Sequence, residues 1–333
     1  MMHTKTKNVF ISTILIIILF AIITVSMTVG DFKMPPLQFL KTLFGMGNET
    51  DTMVLYEFRM PRLLVTILCG AALSLSGALL QSITKNPLAD PGIIGINAGS
   101  GFFIALLMIF MPVDSSNFVY VLPLFSLIGG LITAATVFLL SSSKRGLNPM
   151  QMILIGVGLS TALSGAMIMM TSTFNKEDVE FISKWLGGNI WGDTWPFVWM
   201  IITVLIITIP ILLLKLDILN ILNTHEHIST GLGIRINRER VVILIISVML
   251  CASAVSICGS IAFVGLIAPH IARQLVGPRH QVFIPITILL GAILLSFADT
   301  LGRLLIEPAG MPAGIIVSII GAPYFLYLMR RGL

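Results

Sequence analysis

Few residues in this chain have the types and spacing needed for chemistry. His225 and His227 form an HxH pair, the spacing of a metal site, but no third ligand stands near them and a solvated pair is expected. Ser76-Gly77 and Ser164-Gly165 offer hydroxyls, yet neither lies in a GxSxG elbow or has a histidine placed as its base. Cys69, Cys251 and Cys258 sit inside apolar runs without CxxC spacing and read as small hydrophobes. Met167, Met169 and Met170 read as adaptable core. Asp299 and Arg303, four residues apart, are placed to pair along one helix face. No GxxxxGK[ST] phosphate loop occurs in the sequence. No catalytic residues, resident metal or cofactor are expected, so any nucleotide chemistry belongs to another chain.

A different set of residues calls for explanation. Gln81, Asn86 and Asn97 are polar groups flanked by long apolar runs, where such groups are costly unless used. Pro87 and Pro91 fix a tight turn between two of those runs, since each lacks an N–H and restrains the residue before it. Gly95-x-x-x-Gly99 follows and permits close helix contact. Further along, Gly259, Gly265, Pro269 and Gly277 predict a broken or tilted element, tolerable at membrane depth only inside protein or beside a water-filled cavity. His270, behind Pro269, reads as structural rather than as a proton relay.

The elements that must position these residues follow from composition. Of 333 residues, 56% are apolar and only 11% charged, against roughly a quarter charged in soluble domains. The mean hydropathy is +1.00. The basic residues, despite a pI near 9.3, fall in small groups between apolar runs, which excludes a nucleic-acid binder. The chain reads as an all-α polytopic membrane protein, one transmembrane domain over 1–333. Ten spans are predicted: 9–29, 63–83, 93–111, 118–140, 151–172, 195–214, 241–258, 260–276, 282–303 and 314–329. Lys5 and Lys7 precede the first run, which is too long for a signal core and is expected to be retained. With the N-terminus inside, 13 basic residues fall on inner segments and 7 on outer ones, so both termini are expected in the cytoplasm. The longest inner segment, 215–240, contains a predicted short helix from His225 to Leu232 closed by Gly233.

The motifs also resemble a known family. Arg59-Met60-Pro61-Arg62, Gly70-Ala71, Ser76-Gly77, Gln81, Asn86-Pro87-Leu88-Ala89-Asp90-Pro91 and Gly95 are similar to the permease subunits of iron-siderophore, haem and cobalamin ABC importers, the FecCD/BtuC-like family. The run Gly259-Ser260-Ile261-Ala262-Phe263-Val264-Gly265-Leu266-Ile267-Ala268-Pro269-His270 matches its most recognisable block. Ala298-Asp299-Thr300-Leu301-Gly302-Arg303 and Ile320-Gly321-Ala322-Pro323 match its last two. The sequence departs from the family at Gly310-Met311-Pro312, where an acid usually precedes the proline, and at His225 and Ser229, where Gly and Ala are usual. Glu307 is out of register with that acid.

The resemblance implies a type II ABC importer permease in a bacterial plasma membrane, carrying a ferric siderophore or similar chelate, with haem and cobalamin as alternatives. It implies a cytoplasmic ATPase dimer as partner, an extracytoplasmic substrate-binding protein, and a second permease subunit, a paralogue rather than a copy. It maps receptor docking onto Arg59, Arg62 and Arg303, and ATPase coupling onto Glu226, Ser229, Gly231, Leu232 and Gly233. An ion-coupled secondary transporter fits less well, because every Asp and Glu maps to a loop or a span end.

Overall fold

A computed structural model describes residues 2–29, 32, 34–111, 118–143, 146–224, 226–305 and 310–330. Fifteen α-helices carry the described chain: α1 (Met2–Thr28), α2 (Pro36–Leu43), α3 (Glu49–Met53), α4 (Met60–Thr84), α5 (Ile96–Phe110), α6 (Phe118–Ser141), α7 (Pro149–Thr171), α8 (Lys176–Leu186), α9 (Trp195–Leu213), α10 (Leu216–Leu222), α11 (Glu226–Gly231), α12 (Ile236–Cys258), α13 (Val264–Val276), α14 (His280–Leu305) and α15 (Ala313–Arg330). A π turn, Val54–Arg59, joins α3 to α4. A two-residue hairpin, Ser142–Ser143 against Gly146–Leu147, is the departure from an all-helical chain among the described residues.

Helix starts follow local chemistry. Asn48, Asn148 and Asn175 each accept a hydrogen bond from a first-turn N–H of α3, α7 and α8, the N-cap role for which asparagine is favoured. Proline stands in the first turn of α2, α4, α7 and α9, where its missing N–H costs nothing.

Among the described residues, eight helices are long and apolar enough to cross a membrane. α5 and α13 hold the places of the third and eighth predicted spans but have only 15 and 13 residues. At 1.5 Å per residue they reach about 22 and 20 Å, less than the ~30 Å hydrocarbon core. Each is short because the chain entering it is already inside the bundle. Pro91 and Asp90 lie against Gly265 and the Leu73 carbonyl, so the connection after Thr84 folds back along α4 by roughly 10 Å. Likewise residues 259–263 are non-helical and lead to Val264 at the level of Gly77.

α4 is the axis of the fold. Residues Cys69 to Thr84 are all buried, with α14, α12, α13 and α9 packed around them. Close approach is made with glycines: a Cβ on Gly70 would strike the Gly291 carbonyl of α14, and one on Gly77 the Gly265 carbonyl of α13.

Three expectations change. The stretch left between the predicted spans 151–172 and 195–214 contains α8, whose Trp185 is fully buried. Ser260 donates to the Trp185 carbonyl and Gly314 to the Gly188 carbonyl, so the strand of chain after α8 dips into the bundle. The 215–240 segment holds a further helix, α10, and α12 begins five residues before the predicted span. Finally, two of the acids that map to a span end and a connection are drawn into the protein: Asp299, near the end of α14, is buried, and Asp90 rides the folded-back connection inward. His225, Lys144, Arg145 and Glu307 lie outside the described residues.

Candidate functional site

The predicted site residues gather into three groups along α4. At the start of α4, Arg62 grips Asp299 of α14 through Nη2 at 2.9 Å and Nε at 3.2 Å, and reaches Asp193 Oδ2 at 3.5 Å. Arg303 donates from Nε to the other Asp299 oxygen at 3.2 Å and from Nη2 to Ser26 Oγ of α1 at 2.7 Å. Arg59 spends its guanidinium on the carbonyls of Met27 and Phe32. The three arginines expected to stand open for a receptor are therefore engaged within the chain. The cause is electrostatic: cations lowered toward a low-dielectric bundle require counter-charge, and the Asp299 side chain, only 5% exposed, serves two of them. Asp193, at 42% side-chain exposure, is the open member of the cluster. Burial raises its carboxyl pKa above the usual value, while Arg62 pulls it back down.

The middle group surrounds the break before α13. Phe263 takes a left-handed φ of 67°, unusual for a bulky residue, and Gly259 has φ 72°. Carbonyls in the break and in the first turn of α13, where Pro269 has no N–H to offer Gly265, find partners in neighbouring elements. Gln81 Nε2 donates to the Gly265 and Leu266 carbonyls at 3.4 Å, and Asn97 Nδ2 to Ile261 at 3.5 Å. Asn97 thus serves non-helical backbone at depth, which needs such a donor, and Gln81 serves the helix start that Pro269 leaves short of one. Asn86 forms a local turn, its Oδ1 accepting from Leu88 N at 2.9 Å, with Pro87 as the next residue. Asp90 accepts from Gly92 N at 2.8 Å and caps the 3-10 turn Pro91–Ile94, which Gly95 closes with φ 86°. No cation faces that carboxylate among its described neighbours, and burial pushes its pKa up to about 6. His270 lies inside α13 beside Pro269, its Nε2 2.8 Å from Gln274 and its ring edge-on to Tyr324. A cavity of ≈ 630 Å³ opens beside the break, lined by Gly187, Ser260, Ala262, Gly314, Ser318 and Pro323 among others.

The third group, toward the other end of α4, is α10 and α11. Ser229 Oγ donates to the Ile221 carbonyl at 2.9 Å, tying α11 to α10. Gly233 has φ 80° and closes α11, with Gly233 N on Thr230 O and Ile234 N on Ser229 O, a glycine stop of the kind predicted. Gly231, Leu232 and Gly233 are exposed, and nothing stands within 4 Å of where a Gly231 or Gly233 side chain would be. Glu226 opens α11, but its side chain lies outside the described set.

Sequence reading missed Asp193, Ser26 and the residues that join α10 to the bundle. Their partners are distant in sequence and no local pattern marks them.

Residues 15–331 match the FecCD transport family. The chain is 37% identical over 335 residues to the iron(3+)-hydroxamate import system permease protein FhuG of Bacillus subtilis (strain 168), covering 99% of both. It is 36% identical over 332 residues to the iron-uptake system permease protein FeuC of the same strain, covering 98% of this chain and 97% of that one. Among solved structures, a metal-chelate type ABC transporter in an inward-facing conformation superposes with a TM-score of 0.84 at 32% identity, covering 96% of this chain and 99% of that one. With matches of this extent, the chain belongs to the FecCD transport family of membrane permeases.

Proposed function

We propose that the protein is the permease half of an ABC importer that carries a ferric siderophore across the plasma membrane. The observation that carries this reading is end-to-end similarity to FhuG and FeuC, both named for iron uptake. Energy then has to arrive mechanically from a cytoplasmic ATPase dimer. α10 and α11, on the side that the positive-inside count places in the cytoplasm, are the proposed contact: Gly231, Leu232 and Gly233 are exposed there, the buried Ser229 holds α11 to α10, and Glu226 opens α11. Both termini share that side in this topology.

A second permease subunit completes the path. α7 supports this: Gly158, Thr161, Ala162 and Gly165 are exposed at helical spacing, with nothing close to either glycine. A face of small residues suits close packing of another membrane helix. The ≈ 630 Å³ cavity beside the α13 break opens in the single chain and would be closed by that partner, a paralogue in this reading. An extracytoplasmic binding protein delivers the chelate to the outer face, where Arg62 and Arg303 are the proposed docking cations and Arg59 serves mainly to hold the chain after α1.

The test is reconstitution of the permease pair with its ATPase and binding protein in proteoliposomes. Ferric hydroxamate, ferric catecholate and haem are offered in parallel. ATP-dependent accumulation of a ferric siderophore, insensitive to an uncoupler, is expected; accumulation of haem alone reassigns the substrate, and uptake driven by an ion gradient without ATP overturns the reading. Ser229→Pro or Gly231→Glu should leave membrane insertion intact while uncoupling ATP hydrolysis from uptake.

A further inference from the structure

The inner end of the bundle contains a buried polar chain that the motifs above do not include. Asn220 of α10 presents Oδ1 to two donors of the same residue, the His280 backbone N–H at 3.0 Å and His280 Nδ1 at 2.8 Å. On the opposite edge of the ring, His280 Nε2 lies 2.9 Å from Ser82 Oγ of α4. Both His280 and Ser82 are buried. The protonation pattern follows from the partners. A backbone N–H can only donate, so the Asn220 atom facing it is the oxygen, and the Nδ1 that meets the same oxygen must carry a hydrogen. In the neutral ring Nε2 then accepts from the Ser82 hydroxyl, and Ser82 is committed to His280 rather than to the Ala78 carbonyl, 2.8 Å away on its own helix.

The chain extends in both directions. Asn220 Nδ2 donates to Gln281 Oε1 at 2.9 Å, and Gln281 Nε2 to Asp217 at 2.7 Å, so α10 clamps the first turn of α14. Lys85, which ends α4, donates to the Thr224 carbonyl after α10 at 2.6 Å. α10 is fastened to α11 through Ser229 and Ile221. Next to Ser82 stands Gln81, whose amide holds the Gly265 and Leu266 carbonyls of α13.

We propose that the Asn220–His280–Ser82 chain is the joint that transmits displacement of the α10–α11 segment to the inner end of α4, and through Gln81 to the break before α13. This rests on the reading of α10–α11 as the ATPase contact. An imidazole suits the task because its two nitrogens sit on opposite edges of a rigid ring, holding partners on two helices at a fixed separation. A flexible amide has both polar atoms at one end. Edge-on packing on Phe283, with ring centroids 5.6 Å apart, fixes the ring's orientation. His280 is thus a positioning residue: it touches no substrate and acts through α4.

The assembled importer is tested in nanodiscs and proteoliposomes with Ser82→Ala, Asn220→Ala, the shape-conserving His280→Phe, and the hydroxyl-retaining Ser82→Thr. Three quantities are read: ATPase retained on purification, ferric hydroxamate accumulated per ATP hydrolysed, and the ATP-induced change in mobility of a spin label at Leu88 in the turn after α4. Ser82→Ala and Asn220→Ala are expected to keep the ATPase and its hydrolysis within about twofold, to lower accumulation per ATP at least fivefold, and to abolish the nucleotide response at Leu88. Ser82→Thr should keep most of both. The Ser82→Ala/Asn220→Ala double variant should be no worse than either single one, because one chain is cut in two places. Unchanged accumulation per ATP and an intact Leu88 response in the alanine variants would overturn the proposal, as would additive losses or mere release of the ATPase. Failure of the underlying reading looks different: the wild type would then show no Leu88 response, and Gly231→Glu would couple normally.

Discussion

Replacing Asp299 by Asn keeps the shape of the outer cluster and removes its shared negative charge. Two guanidinium groups lie within 2.9 and 3.2 Å of that carboxylate, and its side chain is 5% exposed. One pair with charge centres about 4 Å apart gains about 4 kcal/mol at an effective dielectric near 20. Arg62 and Arg303 then repel one another once the acid is gone, and Asp193 offers Arg62 only a longer contact of 3.5 Å. Breaking a buried pair from one side costs roughly 3–5 kcal/mol because an uncompensated charge stays behind. Asp299→Asn should therefore lower the thermal midpoint of the detergent-purified permease by roughly 5–10 °C. Removing a cation as well, in Asp299→Asn/Arg303→Gln, should recover part of the loss. Intrinsic tryptophan fluorescence on heating reads both. A midpoint within 1 °C of wild type would mean that the arginines are solvated at the rim, and the account of an internally neutralised cluster would be wrong.

Asp193→Asn frees Arg62 from its exposed partner while leaving Asp299 in place, so salt-sensitive binding of the receptor protein, measured by surface plasmon resonance, should tighten; unchanged binding at all ionic strengths removes Arg62 from the interface. Gly77→Ala places a methyl against the Gly265 carbonyl and should force α4 and α13 apart, reducing stability and uptake together, whereas Gly158→Ala, with open space around it, should leave the stability of the isolated chain unchanged. The Asp90 carboxyl, with its pKa raised to about 6, costs the fold most when ionised: stability is highest below the ordinary carboxylate range, falls as pH rises from about 4 to about 6, and is level above that. Asp90→Asn keeps an N-cap acceptor and should therefore exceed wild type above pH 7 by on the order of 2–3 kcal/mol and match it near pH 4; a pH-independent difference would refute the assignment.

Much of the architecture can be read along the chain. Runs of apolar residues about twenty long mark the membrane helices, because crossing lipid demands unbroken apolar length from each span separately. Glycine and proline at 259–277 mark the interrupted element, and Gly233 marks the end of α11, because backbone freedom is a property of the residue itself. Arg59, Arg62 and Arg303 are legible as special, since cations beside apolar spans call for a reason. Their partners are not. Asp299 lies 237 residues from Arg62 and His280 lies 198 from Ser82, and each pair meets only when the rotation and depth of its helices are set by packing. The same holds for the depth of the turn after Thr84, which its prolines mark only as tight, and of the chain after α8, which reads as a loop, until close contacts with α4, α12 and α15 draw them inward. Hydropathy adds up along one segment at a time, so it determines which segments enter the membrane. Which polar group meets which across the bundle depends on close packing between segments, and that is decided only in the folded molecule.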